Sequence, residues 1–398
     1  MVKKDPYRFT LAAGFLGYVV QAVVVNFAPL LFVTFQKEFS LSLAQLSFLI
    51  TLTFAVQLVA DILVPKLVRL MGQRPGVVMA NGVSVAGLVG LALLPDLFPD
   101  PYAGILVAAF FYSLGSAMIE VLISPIVEAC PFRHNSRIMS LLHSFYSWGS
   151  ALTVLLSTVF FLTLGLENWR YLCLLWALVP LCDGILFLKA PLLELEGDEK
   201  GHEADFGVFC GKPVFWLLIG VMLLGGASEL AVSQWASTFA EQGLGVSKTL
   251  GDLLGPLLFA LCMGSSRVLY ARGTGKLPLE KFMFLSCALC LLSFLLLALS
   301  PWPLLGLMAC GLAGFSVGIF WPGGLSLGTK KLPGGGTALF AFLACAGDTG
   351  CLLGPTAVGF VAELFGGSLK TGFLLSCLFP LGLMAILLLL YRKKPQKA

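Results

Sequence analysis

Apolar runs long enough to cross a lipid bilayer recur along the whole chain, and that recurrence limits the possible folds more than any other feature. A helix needs about 20 mainly apolar residues to span the hydrocarbon core. Cutting the sequence at its charged and Pro/Gly-rich breaks gives twelve such runs, near residues 9–35, 43–65, 76–95, 102–128, 138–164, 171–188, 213–239, 249–269, 281–300, 302–327, 337–365 and 371–391. The sequence is 58% hydrophobic and only 12% charged, whereas a soluble domain carries about 25% charged residues. The fold class expected is an all-α membrane protein with twelve transmembrane helices in two six-helix halves. The 44 Gly and 21 Pro do not argue against helices, because neighbouring helices satisfy the backbone groups such residues free. The first run, Phe9 to Phe35, is too long for the apolar core of a cleavable signal and lacks a small-residue cleavage site, so it reads as the first span.

The net charge of +4 is no nucleic-acid signal here; in such a chain the position of the basic residues matters more than their number. With both termini in the cytoplasm, only Lys37, Arg170, Lys248 and Lys370 of the 25 Lys and Arg fall on the outer side. A wrong span count would scramble that bias beyond the error. An integral, multi-pass protein of the plasma (inner) membrane is therefore expected. The longest polar break, Glu194 to Lys212, divides the spans six and six. This predicts an N-terminal bundle over 1–190, a cytoplasmic linker over 191–211 and a C-terminal bundle over 212–398. A weak internal echo sets Ser116 to Pro125 against Ser316 to Pro322, and Phe35 and Ser42 against Phe239 and Ser247. Parallel halves of this kind are a transporter architecture.

Five carboxylates sit well inside the runs, Asp61, Glu120, Asp183, Glu229 and Asp348, with no Lys or Arg at comparable depth. A carboxylate at mid-bilayer costs roughly 2.5–3.5 kcal/mol on insertion scales, so each should face protein or a wet cavity. Asp61 and Asp183 lie one or two turns from Lys66 and Lys189, which favours structural or gating pairs. Glu120 and Glu229 lie near mid-span, out of reach of surface water. A carboxyl shielded there can take up or release a proton as its exposure changes, which is what proton coupling requires. Asp348, in the glycine-rich stretch GDTGC, fits either that role or a hydrogen bond across a close helix contact. His143, after Arg137 at the start of the fifth span, can relay protons or simply bond to a neighbouring helix. Gln21, Asn26, Tyr146, Trp148, Gln234, Trp235 and Trp321 supply amide and aromatic groups at span depth. Of the 11 cysteines, Cys287 and Cys290 form a CxxC with no second pair and no nearby His. That is too few ligands for a metal, so a structural role is expected.

Several local patterns together resemble the major facilitator superfamily, and within it the fucose permease-like sugar:proton symporters. IEVLISPIVE in the fourth span is similar to that family's glutamate stretch, with Glu120 as the cavity glutamate; LLHSFYSWGS resembles its fifth-span pattern. ASELAVSQW resembles the seventh span and brings in Glu229 and Trp235, and GSSR, ending in Arg267, the turn after the eighth. The resemblance implies that spans one, four, seven and ten surround a central cavity faced by Asn26, Glu120, Glu229, Gln234, Trp235 and Trp321. Two departures stand out: Pro29 occupies the place of the first-span aspartate, and PKLVRLMGQR keeps Gly72 and Arg74 of the superfamily loop but has Arg69 where an aspartate is usual.

The function expected is secondary active transport of a small neutral solute, a sugar or polyol first, by alternating access and coupled to protons. Asn26, Glu120, Tyr146, Glu229, Gln234, Trp235 and Trp321 are the candidate solute contacts. Glu120, Glu229, His143 and Asp348 are the candidate proton carriers, and Asp61, Arg69, Arg74 and Arg267 the gating or structural groups. The lack of a deep cation argues against an anionic solute. Export of cationic or amphiphilic compounds is the first rival. A receptor or scaffold would be expected to carry a sizeable extramembrane domain. An intramembrane enzyme is not expected, since no HExxH, GxSxG or paired catalytic Asp motif occurs at span depth. The partners implied are a small-molecule substrate and the bilayer, for a monomer with no cofactor other than the coupling proton and no nucleic acid.

Overall fold

The computed structural model describes residues 7–131, 135–193, 209–273, 278–332 and 336–392; the heart of the expected linker, 194–208, lies outside them. Every regular element among the described residues is helical. The chain divides into two compact units, Met1–Leu41 with Leu52–Gly197, and Ser42–Thr51 with Asp198–Ala398. The first unit holds α1 (Tyr7–Phe27), α2 (Phe32–Phe39), α3 (Leu43–Met71) from Leu52 onward, α4 (Gln73–Leu97), α5 (Pro101–Glu128), α6 (Asn135–Leu164) and α7 (Trp169–Lys189). The second holds α8 (Pro213–Ser233), α9 (Leu258–Gly273), α10 (Leu279–Leu299), α11 (Pro303–Val317), α12 (Phe320–Lys331), α13 (Gly336–Leu364), α14 (Leu369–Ser376) and α15 (Leu378–Arg392), together with the first turns of α3.

Among the described residues, 11 helical stretches are long and apolar enough to cross a membrane, and they fall on eleven of the twelve expected runs. The eleventh run is α13. It is 29 residues long; the side chains of 336–338, 340 and 341 at its start lie outside the described residues, and it is not among the 11.

Packing partners repeat from one unit to the other. In the first, α1 packs on α5, α6 and α7, and α4 on α5 and α7. These are contacts of the first span with the fourth, fifth and sixth, and of the third with the fourth and sixth. In the second, α8 packs on α12, α13 and α15, and α10 on α11 and α15. These are the same contacts displaced by six spans. The core of the first unit is built from Tyr18, Val20, Met118, Ile119, Ile123, Val127, Leu142 and Phe187. Lipid tails are as apolar as these side chains, so close backbone approach rather than burial alone must hold such helices together.

Several spans are not single helices, and proline is the usual cause, since it has no N–H to give to the carbonyl four residues back. The first span passes from α1 through a 3-10 turn, Ala28–Leu31, that contains Pro29. In the tenth, α11 stops at Val317 and α12 starts at Phe320, just before Pro322, whose missing N–H leaves the Gly318 carbonyl without its helical partner. The twelfth breaks at Cys377, three residues before Pro380. The eighth widens into a π turn, Leu253–Leu257, around Pro256. The seventh breaks at Gln234 and Trp235 with no proline near, and continues through Ala236–Thr238 into a π turn, Phe239–Gly243.

Arg74 sits just after Gly72, which holds a left-handed φ of 87° at the sharp entry to α4. Its guanidinium donates to three carbonyls at the end of α7: Phe187 (2.9 Å) and Leu188 (2.6 Å) from Nη1, and Ala190 (2.8 Å) from Nη2. The last carbonyls of a helix lack intrahelical partners, and a cation there also meets the negative end of the helix dipole. Arg74 thus has a fixed structural task in this conformation. Arg74→Ala is expected to lower stability by about 2 kcal/mol, measured as a lower thermal midpoint in detergent. Arg74→Lys should recover only part of the loss, because an ammonium cannot span three acceptors. The side chain of Arg69 lies outside the described residues.

Candidate functional site

Three helices of the first unit bring polar groups together around Glu120. Gln57 and Asp61 lie one turn apart on α3, at the (i, i+4) spacing that puts side chains on one face. Gln21 comes from α1 and Glu120 from α5. Oε2 of Glu120 accepts hydrogen bonds from Nε2 of Gln21 and from Nε2 of Gln57, the latter at 2.7 Å. The same Gln57 amide lies 3.4 Å from Oδ1 of Asp61, so one amide bridges two carboxyls. Glu120 is half-buried, and among the described residues it makes no ion pair with Lys or Arg. A carboxyl taken out of water is normally paired with a cation or saturated with hydrogen bonds. Here two amides replace the cation, and a proton loaded on the pair would relieve the repulsion between its members.

Around this cluster α1, α5 and α6 share further polar contacts. Tyr18 and Ser124 join through their hydroxyls at 2.7 Å. The His143 ring meets Tyr18 edge to face at 5.1 Å, and His143 is exposed. Asn26 donates to the Ala22 carbonyl and to Oγ of Ser150, both at 2.9 Å. Ser150 in turn donates to the carbonyl of half-buried Tyr146 at 2.9 Å. Asn26, Glu120, Tyr146 and His143 therefore come from helices of one unit that pack on one another. Gln57, Ser124 and Ser150 were not among the expected site residues. Gln57 carried a signal, as a second polar residue one turn before Asp61 in an apolar run.

Asp183 differs from expectation. It is fully buried, with Oδ2 accepting from Nδ2 of Asn81 at 3.0 Å, while Lys189, its expected partner, is exposed. The cause is that α4 packs on α7 and brings Asn81 into reach. The side chain of Lys66, expected beside Asp61, lies outside the described residues.

In the second unit Glu229, half-buried on α8, lies 3.9 Å from Nη2 of Arg267 on α9. This corrects the expectation that no cation reaches such depth: the long side chain carries its charge back from the end of its span, as arginine stems readily do. Arg267 also donates from Nε to the Gly318 carbonyl at 3.1 Å, the acceptor that Pro322 leaves unpaired. One arginine thus serves a broken helix and a half-buried acid. Trp321, half-buried, covers Gly347 so closely that a Cβ there would collide with its ring, and half-buried Asp348 follows directly on α13. Gln234 is 3% exposed and Trp235 fully buried. The Trp235 indole donates to the Pro355 carbonyl at 2.9 Å, so its ring has no surface left for a solute in this conformation. Cys287 and Cys290 are buried free thiols, and among the described residues no three His, Cys, Asp or Glu converge as metal ligands.

A family model described as Major Facilitator Superfamily matches residues 11–348. No curated protein matches the chain in sequence. Among solved structures, a variant of the nucleoside transporter NupG superposes with a TM-score of 0.78 at 14% identity, covering 98% of this chain and 100% of its own. A bacterial homologue of the human lysosomal transporter Spinster, inward-facing and occupied, gives 0.75 at 15% identity, with 98% of each chain covered. A D-xylose-proton symporter gives 0.74 at 16% identity, over 97% of this chain and 96% of its own. At these identities the likeness is one of fold.

Proposed function

Because the chain belongs to the major facilitator superfamily of transporters, we propose that it moves a small neutral solute, a sugar or polyol, by alternating access and in symport with protons. The observation that carries this reading is Glu120, a membrane-embedded carboxyl held by two amides, bridged to Asp61 and in no ion pair among the described residues. Such a group can change its proton occupancy without breaking an ion pair, and Oε1 accepts no hydrogen bond among the described residues. Asn26, Tyr146 and Trp321 are the solute contacts in this reading. The pairing of Arg267 with Glu229 leaves no surplus positive charge in the second unit's polar group, which favours an uncharged solute over an anion. Two structures of similar fold are described as handling nucleoside and D-xylose, both built on a sugar. The fourth- and seventh-span patterns favour the fucose permease-like branch. Twelve spans, both termini in the cytoplasm and residence in the inner membrane complete the reading, supported by the bias of Lys and Arg.

A second reading, export of a cation against protons, is favoured by the same carboxyl, which could receive positive charge directly. A thermal-shift screen of the purified protein across sugars, nucleosides and cationic drugs separates the two, since a ligand stabilises the state that binds it. Hits among neutral polyhydroxylated solutes are expected. A gradient of the hit compound should then drive proton entry into proteoliposomes. Hits confined to cations would replace symport with export, and solute movement without proton movement would sink the coupling.

A further inference from the structure

Away from Glu120, one face of the second unit carries a groove of about 330 Å³ between α10 and α15. Its walls are Phe284, Leu285, Leu387 and Leu388, and its mouth is formed by Glu280, Lys281 and Tyr391. Leu285, Leu388 and Tyr391 are each half or more exposed, so the groove opens on the face that lipid would cover. Its floor is held in place, because α10 packs on α15 and Lys331 donates to the Leu390 carbonyl at 2.8 Å.

The mouth is what distinguishes this groove from a plain lipid-facing surface. Glu280 is its only acid, and its carboxylate is engaged by Nζ of Lys330 at 2.6 Å. That leaves Lys281, exposed and in no ion pair among the described residues, as the mouth's unbalanced charge. The last residue of α15, Arg392, and the sequence that follows it, with Lys393, Lys394 and Lys397, add basic charge without one acid. An occupant must therefore combine an apolar tail with a negatively charged head. From Lys281 to Leu285 the helix rises roughly 6 Å, enough to set a headgroup at the mouth while a chain begins along the leucines. A phenol such as Tyr391 is suited to the boundary between headgroup and hydrocarbon.

We infer that this groove is a binding site for an anionic phospholipid, its phosphate on the Lys281 ammonium and the Tyr391 hydroxyl and one acyl chain against Phe284, Leu285, Leu387 and Leu388. Lys330 prepares the site by cancelling Glu280, which leaves Lys281 to attract the anionic headgroup. Binding here does not depend on the identity of the transported solute.

The test uses the full chain in nanodiscs of phosphatidylcholine with or without phosphatidylglycerol. Lipid retained through delipidation is read by native mass spectrometry, and the thermal midpoint is read alongside. The parent should retain phosphatidylglycerol in preference to phosphatidylcholine and gain thermal stability from it. Lys281→Gln should weaken that retention about fivefold, the effect of one basic residue at a membrane surface, and Lys281→Arg should restore it. Leu388→Trp, which fills the groove at an exposed position, should reduce retention with Lys281 intact. No preference in the parent would overturn the proposal, and so would retention by Lys281→Gln and Leu388→Trp undiminished from the parent's. A chain ending at Arg392 provides a further arm. If the preference vanishes with residues 393–398 yet survives both groove variants, the chain end binds the lipid and the groove does not. Competition by inorganic phosphate as strong as by the lipid would also overturn it.

Discussion

Glu120→Gln is expected to reduce solute-driven proton uptake to the level of empty liposomes while solute exchange between the two faces continues. Glutamine keeps the size of the side chain and an oxygen able to accept from Gln21 and Gln57, which hold Oε2 in the parent. What it loses is the capacity to carry a proton. Proton entry and solute exchange should therefore separate, the first followed with a pH-sensitive dye and the second by counterflow of labelled solute. Thermal stability should hold or rise, since a half-buried carboxylate that makes no ion pair among the described residues is costly. Asp61→Asn should give a smaller loss, because Asp61 lies 3.4 Å from the Gln57 amide, whereas Glu120 accepts from that amide at 2.7 Å and from Gln21 as well. If Glu120→Gln couples like the parent, the acid is structural and the symport reading fails.

Gly350→Val is expected to leave almost no monodisperse protein. A Cβ at Gly350 would fall on the Leu223 carbonyl of α8, with the Leu223 carbonyl carbon and the Ala227 nitrogen also within 2.9 Å. The obstacle is backbone, so no rotamer change can relieve it, and α8 and α13 would have to separate. Overpacking typically costs about 1–3 kcal/mol where side chains can adjust, and more is expected here. Fluorescence-detected size exclusion gives the readout. Gly82→Ala is the matched control: nothing lies within 4 Å of a Cβ at that exposed position of α4. That change should leave the protein intact or stabilise it by up to about 1 kcal/mol through helix propensity. Equal yields from the two variants would show that the α8–α13 contact tolerates separation.

How much of this was legible beforehand depends on the range of the interaction. The apolar runs are local, and eleven of them reappear as long apolar helices. Glu120 could be singled out because the cost of an embedded acid is a property of one residue and its run. Its partners could not, since Gln21 and Gln57 lie 99 and 63 residues away and no local pattern pairs them. Helix breaks were foreseeable at Pro29 and Pro322, where the missing N–H is written in the residue type, but not at Gln234 and Trp235. Arg74 was visible as part of a loop pattern, whereas its task of closing the end of α7 depends on where that helix stops, more than 100 residues on. Arg267 was assigned by its place after a span, and only the path of its side chain revealed the second address at Glu229.

The double engagement of Arg267 ties its fate to a residue it is not shown touching. Gly318 needs a donor because position 322 is proline. An alanine at 322 would supply that N–H from within the helix and release the arginine's Nε from the Gly318 carbonyl, with its Nη2 still beside the Glu229 carboxyl. Whether residue 267 can be exchanged is therefore decided partly at residue 322, so the two positions should be altered and judged as a pair.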